Sequence, residues 1–207
     1  MSKLHLAAAL LAFAAPAFAQ TTTPADLTGG PAATADLVPV AIDTSMGRIV
    51  VALDRTHAPK TTANFLAYVD LHKFDGESFY RAMPYGDTAG DGLVQGGVHS
   101  DARKLLKPVA HEPTSQTGIR NTAGAISMAN NGPGTARADF FILTADMPGL
   151  DATATDPGFA AFGHVVEGMD VVKKILASPV SATKGTGAMK GQMLDPVVRI
   201  VKVSRAK

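Results

Sequence analysis

Four residues of this 207-residue chain could act together on a polar bond without a nucleophile: Arg81, Gln95, Asn130 and Phe141. They stand in short islands, Ser78-Phe79-Tyr80-Arg81, Val94-Gln95-Gly96-Gly97, Ser127-Met128-Ala129-Asn130 and Asp139-Phe140-Phe141-Ile142. A fifth island, Ala161-Phe162-Gly163-His164-Val165, follows them. The guanidinium of Arg81 is always charged and carries several N–H donors in fixed directions. Gln95 can donate and accept, and Gly96 and Gly97 beside it let a second chain approach closely. Such a set can hold and stabilise a polar group through hydrogen bonds, with no proton transferred. Taken singly, each residue has a plainer account. Arg81 could be a surface arginine on a strand, Gln-Gly-Gly a bulge or turn, Asn130 a turn residue at a strand end, and Phe141 a core side chain.

Competing chemistries find less support. The chain has no cysteine, which excludes disulfides, thiol catalysis and cysteine-bound metals. None of His57, His72, His99, His111 and His164 forms an i, i+4 pair or an HExxH helix, so no zinc site is expected. Gly132-Pro133-Gly134 lacks the Lys-Ser/Thr of a phosphate loop, and Ser127 lacks the G-x-S-x-G elbow of a serine nucleophile. Asp87 and Asp91 stand in a Gly-rich loop where calcium is conceivable. A solvated loop is the simpler account there, because calcium needs six or more oxygen ligands. The 19 basic and 18 acidic residues nearly balance, so nothing marks a nucleic-acid footprint or an anionic membrane partner.

The elements that must position these residues are short. With 20 Gly and 13 Pro the chain turns often, and 46% hydrophobic against 18% charged residues suits a folded core. The apolar pattern predicts a hairpin over 38–53 around Ser45-Met46-Gly47-Arg48. A helix opens at Ala58-Pro59 and runs to about Leu71, with Ala63, Leu66 and Val69-Asp70, together with Phe65 and Tyr68, as its stripe. Strands are predicted over 77–82, 93–98, 125–129, 139–144, 159–166 and 196–203. A second helix covers 169–177 with Val172, Ile175 and Leu176 inward. Residues 98–121 lack a clear period and carry the basic run 103–107. They read as a solvated excursion, with a partner-binding loop as the alternative. Roughly eight short strands with two helices fit a mainly β chain, either a closed antiparallel barrel or a sandwich.

At the N-terminus, Lys3, the apolar run 4–15 and Ala17-Phe18-Ala19 predict a signal peptide over 1–19. A flexible leader over 20–38 and one domain over 39–204 would follow. The apolar run is short for a bilayer span, so no stable membrane insertion is expected after cleavage, and export to a bacterial periplasm is the expectation.

In order and spacing, the five islands resemble the cyclophilins, a family of peptidyl-prolyl cis-trans isomerases, over about residues 40–203. The resemblance implies a closed eight-stranded antiparallel β-barrel capped by two α-helices. It implies that Arg81 is catalytic and that Gln95, Ala129 and Asn130 bind the substrate backbone. Phe141, Leu150 and Phe159, with Leu93 beside them, would enclose the proline ring. No cofactor and no metal are implied. The implied partners are proline-containing polypeptides, bound by a monomer, and the periplasmic setting would make them exported chains in need of folding. A peptide-binding or chaperone module with little isomerase activity is the alternative.

Four departures from the family pattern matter. One is Phe159, at a position that is often His, which keeps an aromatic wall but loses a polar tip. Gly92 stands where most relatives place a large apolar residue of the proline pocket, a gap that Met83, Tyr85 or Leu93 could fill. Asp139 replaces a common Gln and brings a carboxylate near Arg81, where it could orient or tie up the guanidinium. Gly149 stands where many eukaryotic relatives have Trp, which implies weak binding of cyclosporin.

Overall fold

A computed structural model of the chain describes residues 35–98 and 101–206; the signal peptide and most of the leader expected from the sequence lie outside them. The first hairpin pairs β1 (Leu37–Thr44) with β2 (Gly47–Asp54). Its turn is tight. The Thr44 hydroxyl accepts from the Met46 N–H at 3.0 Å and donates to the Gly47 carbonyl at 2.7 Å. Gly47 takes a φ of 132°, which side chains rarely adopt, and a Cβ there would press on Val171.

After α1 (Pro59–Asp70) come β3 (Ser78–Pro84), β4 (Gly92–Gly97), the single turn α2 (Thr114–Thr117), β5 (Ala125–Met128) and β6 (Phe140–Leu143). Then follow β7 (Ala161–Glu167), α3 (Met169–Leu176), the two-residue β8 (Val180–Ser181) and the long β9 (Met193–Arg205). Neighbouring strands run in the order β1-β2-β7-β5-β6-β4-β3-β9, all antiparallel, and β9 pairs back onto β1. The eight strands therefore close into a barrel, which removes both sheet edges. Strand β8 only adds a rung to β9. Helix α1 leaves the Asp54 end of β2, where the Thr62 hydroxyl donates to the Asp54 carbonyl at 2.9 Å. Helix α3 lies at the opposite end, with Val171 against Gly47. Each opening is thus covered by a helix.

The interior is aromatic. Phe65 of α1 lies 4.9 Å from Phe74, 5.3 Å from Phe140 and 5.4 Å from Phe162, centroid to centroid. Strand β6 is buried on both faces, since Phe140 and Ile142 enter this core while Phe141 and Leu143 enter a smaller cluster on the outer face.

Four details differ from the sequence reading. On α1, Ala63 and Asp70 face solvent; Thr61 and Thr62 take the inward positions, and Asp70 pairs with Arg205 at 2.8 Å. The last strand starts three residues earlier than expected. A third, one-turn helix is present. Most of all, the excursion after β4 is anchored rather than simply solvated. The side chain of Ala58 cannot cap α1, so Glu112, 1% exposed, accepts the N–H groups of Lys60 at 3.1 Å and Thr61 at 2.7 Å. It also accepts the Thr61 hydroxyl at 2.7 Å. A carboxylate at a helix N-terminus satisfies orphan donors and faces the positive end of the dipole.

Candidate active site on the outer face of the barrel

Around Arg81 the strand period of two is broken. Phe79 pairs with Gly96 and Arg81 with Gln95, which leaves Tyr80 as the extra residue of a β-bulge. Phe79 and Ala82 point into the barrel core, while Tyr80 and Arg81 both line a cavity on its outer face. The register then sets Met193, Arg81, Gln95 and Phe141 side by side across β9, β3, β4 and β6. The cavity has a volume of about 700 Å³.

One half of it is polar. Arg81 Nε donates to Gln192 Oε1 at 2.8 Å, Nη1 to Gln95 Oε1 at 2.8 Å, and Nη2 to Met83 Sδ at 3.2 Å. A guanidinium has five N–H groups, so two remain for a ligand among the described residues. Gln95 Nε2 donates to the Tyr80 hydroxyl at 2.7 Å, which fixes the way its amide faces. Burial lowers the Arg81 pKa, yet an arginine stays a cation near neutrality. Burial, and then the nearby Asp139 carboxylate, push the Tyr80 phenol well up and keep it neutral. Asn130 Oδ1 accepts from the Gly132 N–H at 2.9 Å. Its buried Nδ2 has no partner among the described residues.

The other half is apolar. Leu93, Phe141, Leu143, Ala125 and Met147 form the outer cluster, and Met83, Ala129, Leu150 and Phe159 pack against it. Phe159 meets Phe141 edge to face, with centroids 5.4 Å apart and planes at 81°.

All eight residues singled out from the sequence, Arg81, Leu93, Gln95, Ala129, Asn130, Phe141, Leu150 and Phe159, line this one cavity. Gly92 does not. A Cβ there would collide with the Met83 carbonyl and press on Leu176, so no larger side chain belongs at that position. Met83 and Leu93 fill the wall instead, and Tyr85 is 49% exposed and apart from it. Asp139 acts on Tyr80, while the hydrogen bonds of Arg81 run to Gln192, Gln95 and Met83. Sequence reasoning missed Gln192, which is 111 residues from Arg81 along the chain. It also missed the segment around Thr186 and Met189 that forms one rim.

Comparison with known proteins decides the family. The family model of the cyclophilin type peptidyl-prolyl cis-trans isomerases matches residues 39–205. The chain belongs to the cyclophilins. Peptidyl-prolyl cis-trans isomerase A of Dickeya dadantii is 38% identical over 206 residues, covering 96% of this chain and 95% of that protein. The isomerase cyp18 of Streptomyces antibioticus is 37% identical over 171 residues, 78% of this chain and 93% of its own. A crystal structure of a cyclophilin-type isomerase from Cryptosporidium parvum superposes with a TM-score of 0.63 at 18% identity. It covers 83% of this chain and 98% of that one, a likeness of fold. In this cyclophilin the barrel and its covering helices are therefore family architecture. The partners of its arginine are Gln192 from the segment before β9, Gln95 and the Met83 sulfur.

Proposed function

We propose that the cavity binds an X-Pro segment of a polypeptide and that Arg81 catalyses rotation about the X-Pro bond. The family and its named relatives are peptidyl-prolyl cis-trans isomerases, and the site has the means for that reaction. Rotation about a peptide bond faces a barrier of roughly 18–20 kcal/mol, set by amide resonance. Before proline the exchange still takes tens to hundreds of seconds. In the twisted state resonance is lost and the prolyl nitrogen regains a lone pair. A free N–H of Arg81 donates to that nitrogen more strongly when twisted than when planar, which is the differential interaction that catalysis needs. Gln95 and Asn130 hold the flanking backbone. Phe141, Leu150, Phe159 and Leu93 hold the ring while the preceding carbonyl turns.

The observation that carries this reading is the seating of Arg81. Three protein partners hold its guanidinium half-buried at the border of the apolar compartment, with two donors to spare. Charge held in place away from bulk water acts more strongly than it would in water. Gly92 lies outside the cavity, and the hydrogen bonds of Arg81 run to Gln192, Gln95 and Met83. We extend the proposal to exported clients, on the signal-like residues 1–19.

The test is a titration of ¹⁵N-labelled protein with a short Ala-Pro peptide. Shifts centred on Arg81, Gln95, Asn130 and Phe141, with faster cis–trans exchange of the peptide, are expected. Shifts confined to another face would overturn the assignment of the site.

A further inference from the structure

We propose that Asn121 is a positioning residue that sets the width of the apolar compartment and so its selectivity for the five-membered ring. The proposal rests on the reading that this compartment takes proline.

Asn121 is 1% exposed and lies outside the cavity lining. Its Oδ1 accepts the Ser127 hydroxyl at 2.6 Å. Its Nδ2 donates to the Leu150 carbonyl at 3.1 Å and to Asp151 Oδ1 at 3.0 Å, with the Phe159 carbonyl at 3.4 Å. Its backbone N–H donates to the same Asp151 oxygen at 2.8 Å, and its carbonyl accepts the Met147 N–H at 2.9 Å. Leu150 and Phe159 are two walls of the compartment, and their backbones are joined by a bond of 2.9 Å from the Phe159 N–H to the Leu150 carbonyl. The third wall is Phe141, and Ser127 is its partner across β5 and β6. One buried carboxamide therefore ties the segment bearing Leu150 and Phe159 to the strand beside Phe141.

The segment between β6 and β7 has little regular structure of its own, only the turn Pro148–Leu150. Its place depends on such ties. Arg81 is held by a separate set, Gln95, Gln192 and Met83. Loss of the Asn121 ties should loosen the fit around the ring and leave the donor in place. Binding would weaken more than turnover, and the compartment would stop distinguishing ring sizes.

The experiment compares peptides that differ only in ring size, Ala-Pro and Ala-pipecolyl, by NMR exchange in wild type, Asn121→Ala and Arg81→Ala. One methylene in a fitted apolar pocket is worth roughly 10–200-fold in kcat/KM, so the wild type should favour proline by on the order of tenfold or more. In Asn121→Ala the ratio should fall to about two- to threefold, with a higher KM for Ala-Pro and a kcat little changed. Simple loss of folded protein lowers both rates together and leaves the ratio untouched. An unchanged ratio in folded Asn121→Ala overturns the proposal. If that variant does not fold, Asp151→Ala removes the acceptor shared by the Asn121 backbone N–H and Nδ2, and an unchanged ratio there overturns it equally. A wild type that accelerates neither peptide, or an Arg81→Ala protein as active as wild type, would instead bring down the reading of the site itself.

Discussion

Arg81 works only if its plane is held while its free donors meet the substrate, and Gln192 is the partner that reaches it from the far end of the chain. Gln192→Ala should lower kcat on the order of tenfold with KM nearly constant, since a hydrogen bond to a charged group carries about 1.5–3 kcal/mol. Steady-state exchange rates across peptide concentrations check this, and an unchanged kcat would contradict it. The pH profile is a second expectation. Burial lifts the Tyr80 phenol above its ordinary value of 10.0, so it stays protonated through that range, and Arg81 stays charged although burial lowers its pKa. With no proton transferred, kcat/KM should be flat from about pH 6 to 9, and an inflection near neutrality would point to a titrating catalytic group. At this scale the sequence was readable through the order and spacing of the islands. Arg81, Gln95, Asn130 and Phe141 stood out because those islands resemble the cyclophilins, while each residue taken singly has a plainer account. Gln192 and Asn121 did not, because an amide alone gives no sign of a partner brought near only by folding.

The elements were legible by period and punctuation, and they failed where a long-range contact decides. Alternation located the strands, but the bulge at Tyr80 turns two successive side chains outward, and only the pairing with β4 reveals it. A solvated excursion was a fair reading of residues 98–121 from their charges; its buried Glu112 contradicts that, and the helix it caps lies 51 residues away. Removing this carboxylate strands two backbone donors and a hydroxyl at the start of α1. Glu112→Ala should therefore cost about 1–3 kcal/mol of stability. Urea unfolding should show a lower midpoint at equal slope, while kcat/KM of the folded protein is retained. A midpoint equal to wild type would show that water replaces the cap without loss.

For the whole molecule, closure of eight strands was expected from the family resemblance, whereas strand spacing alone left barrel and sandwich both open. Closure matters for function because it leaves an outer face rigid enough to carry a second, smaller apolar cluster around Phe141, backed by the core around Phe140. The described fold starts just before β1, and the family match begins at residue 39. A protein of residues 35–207 should thus fold and keep the full kcat/KM; a large loss would assign residues 1–34 a part in the domain. The central claim is that Arg81 stabilises the twisted bond, and one measurement meets it most directly. The cis-to-trans rate of an Ala-Pro peptide is followed by NMR exchange with wild type and with folded Arg81→Ala. Loss of an oriented charged donor should reduce kcat/KM by roughly 10²–10³-fold while Phe141 still reports peptide binding. Equal acceleration by both proteins would contradict the account.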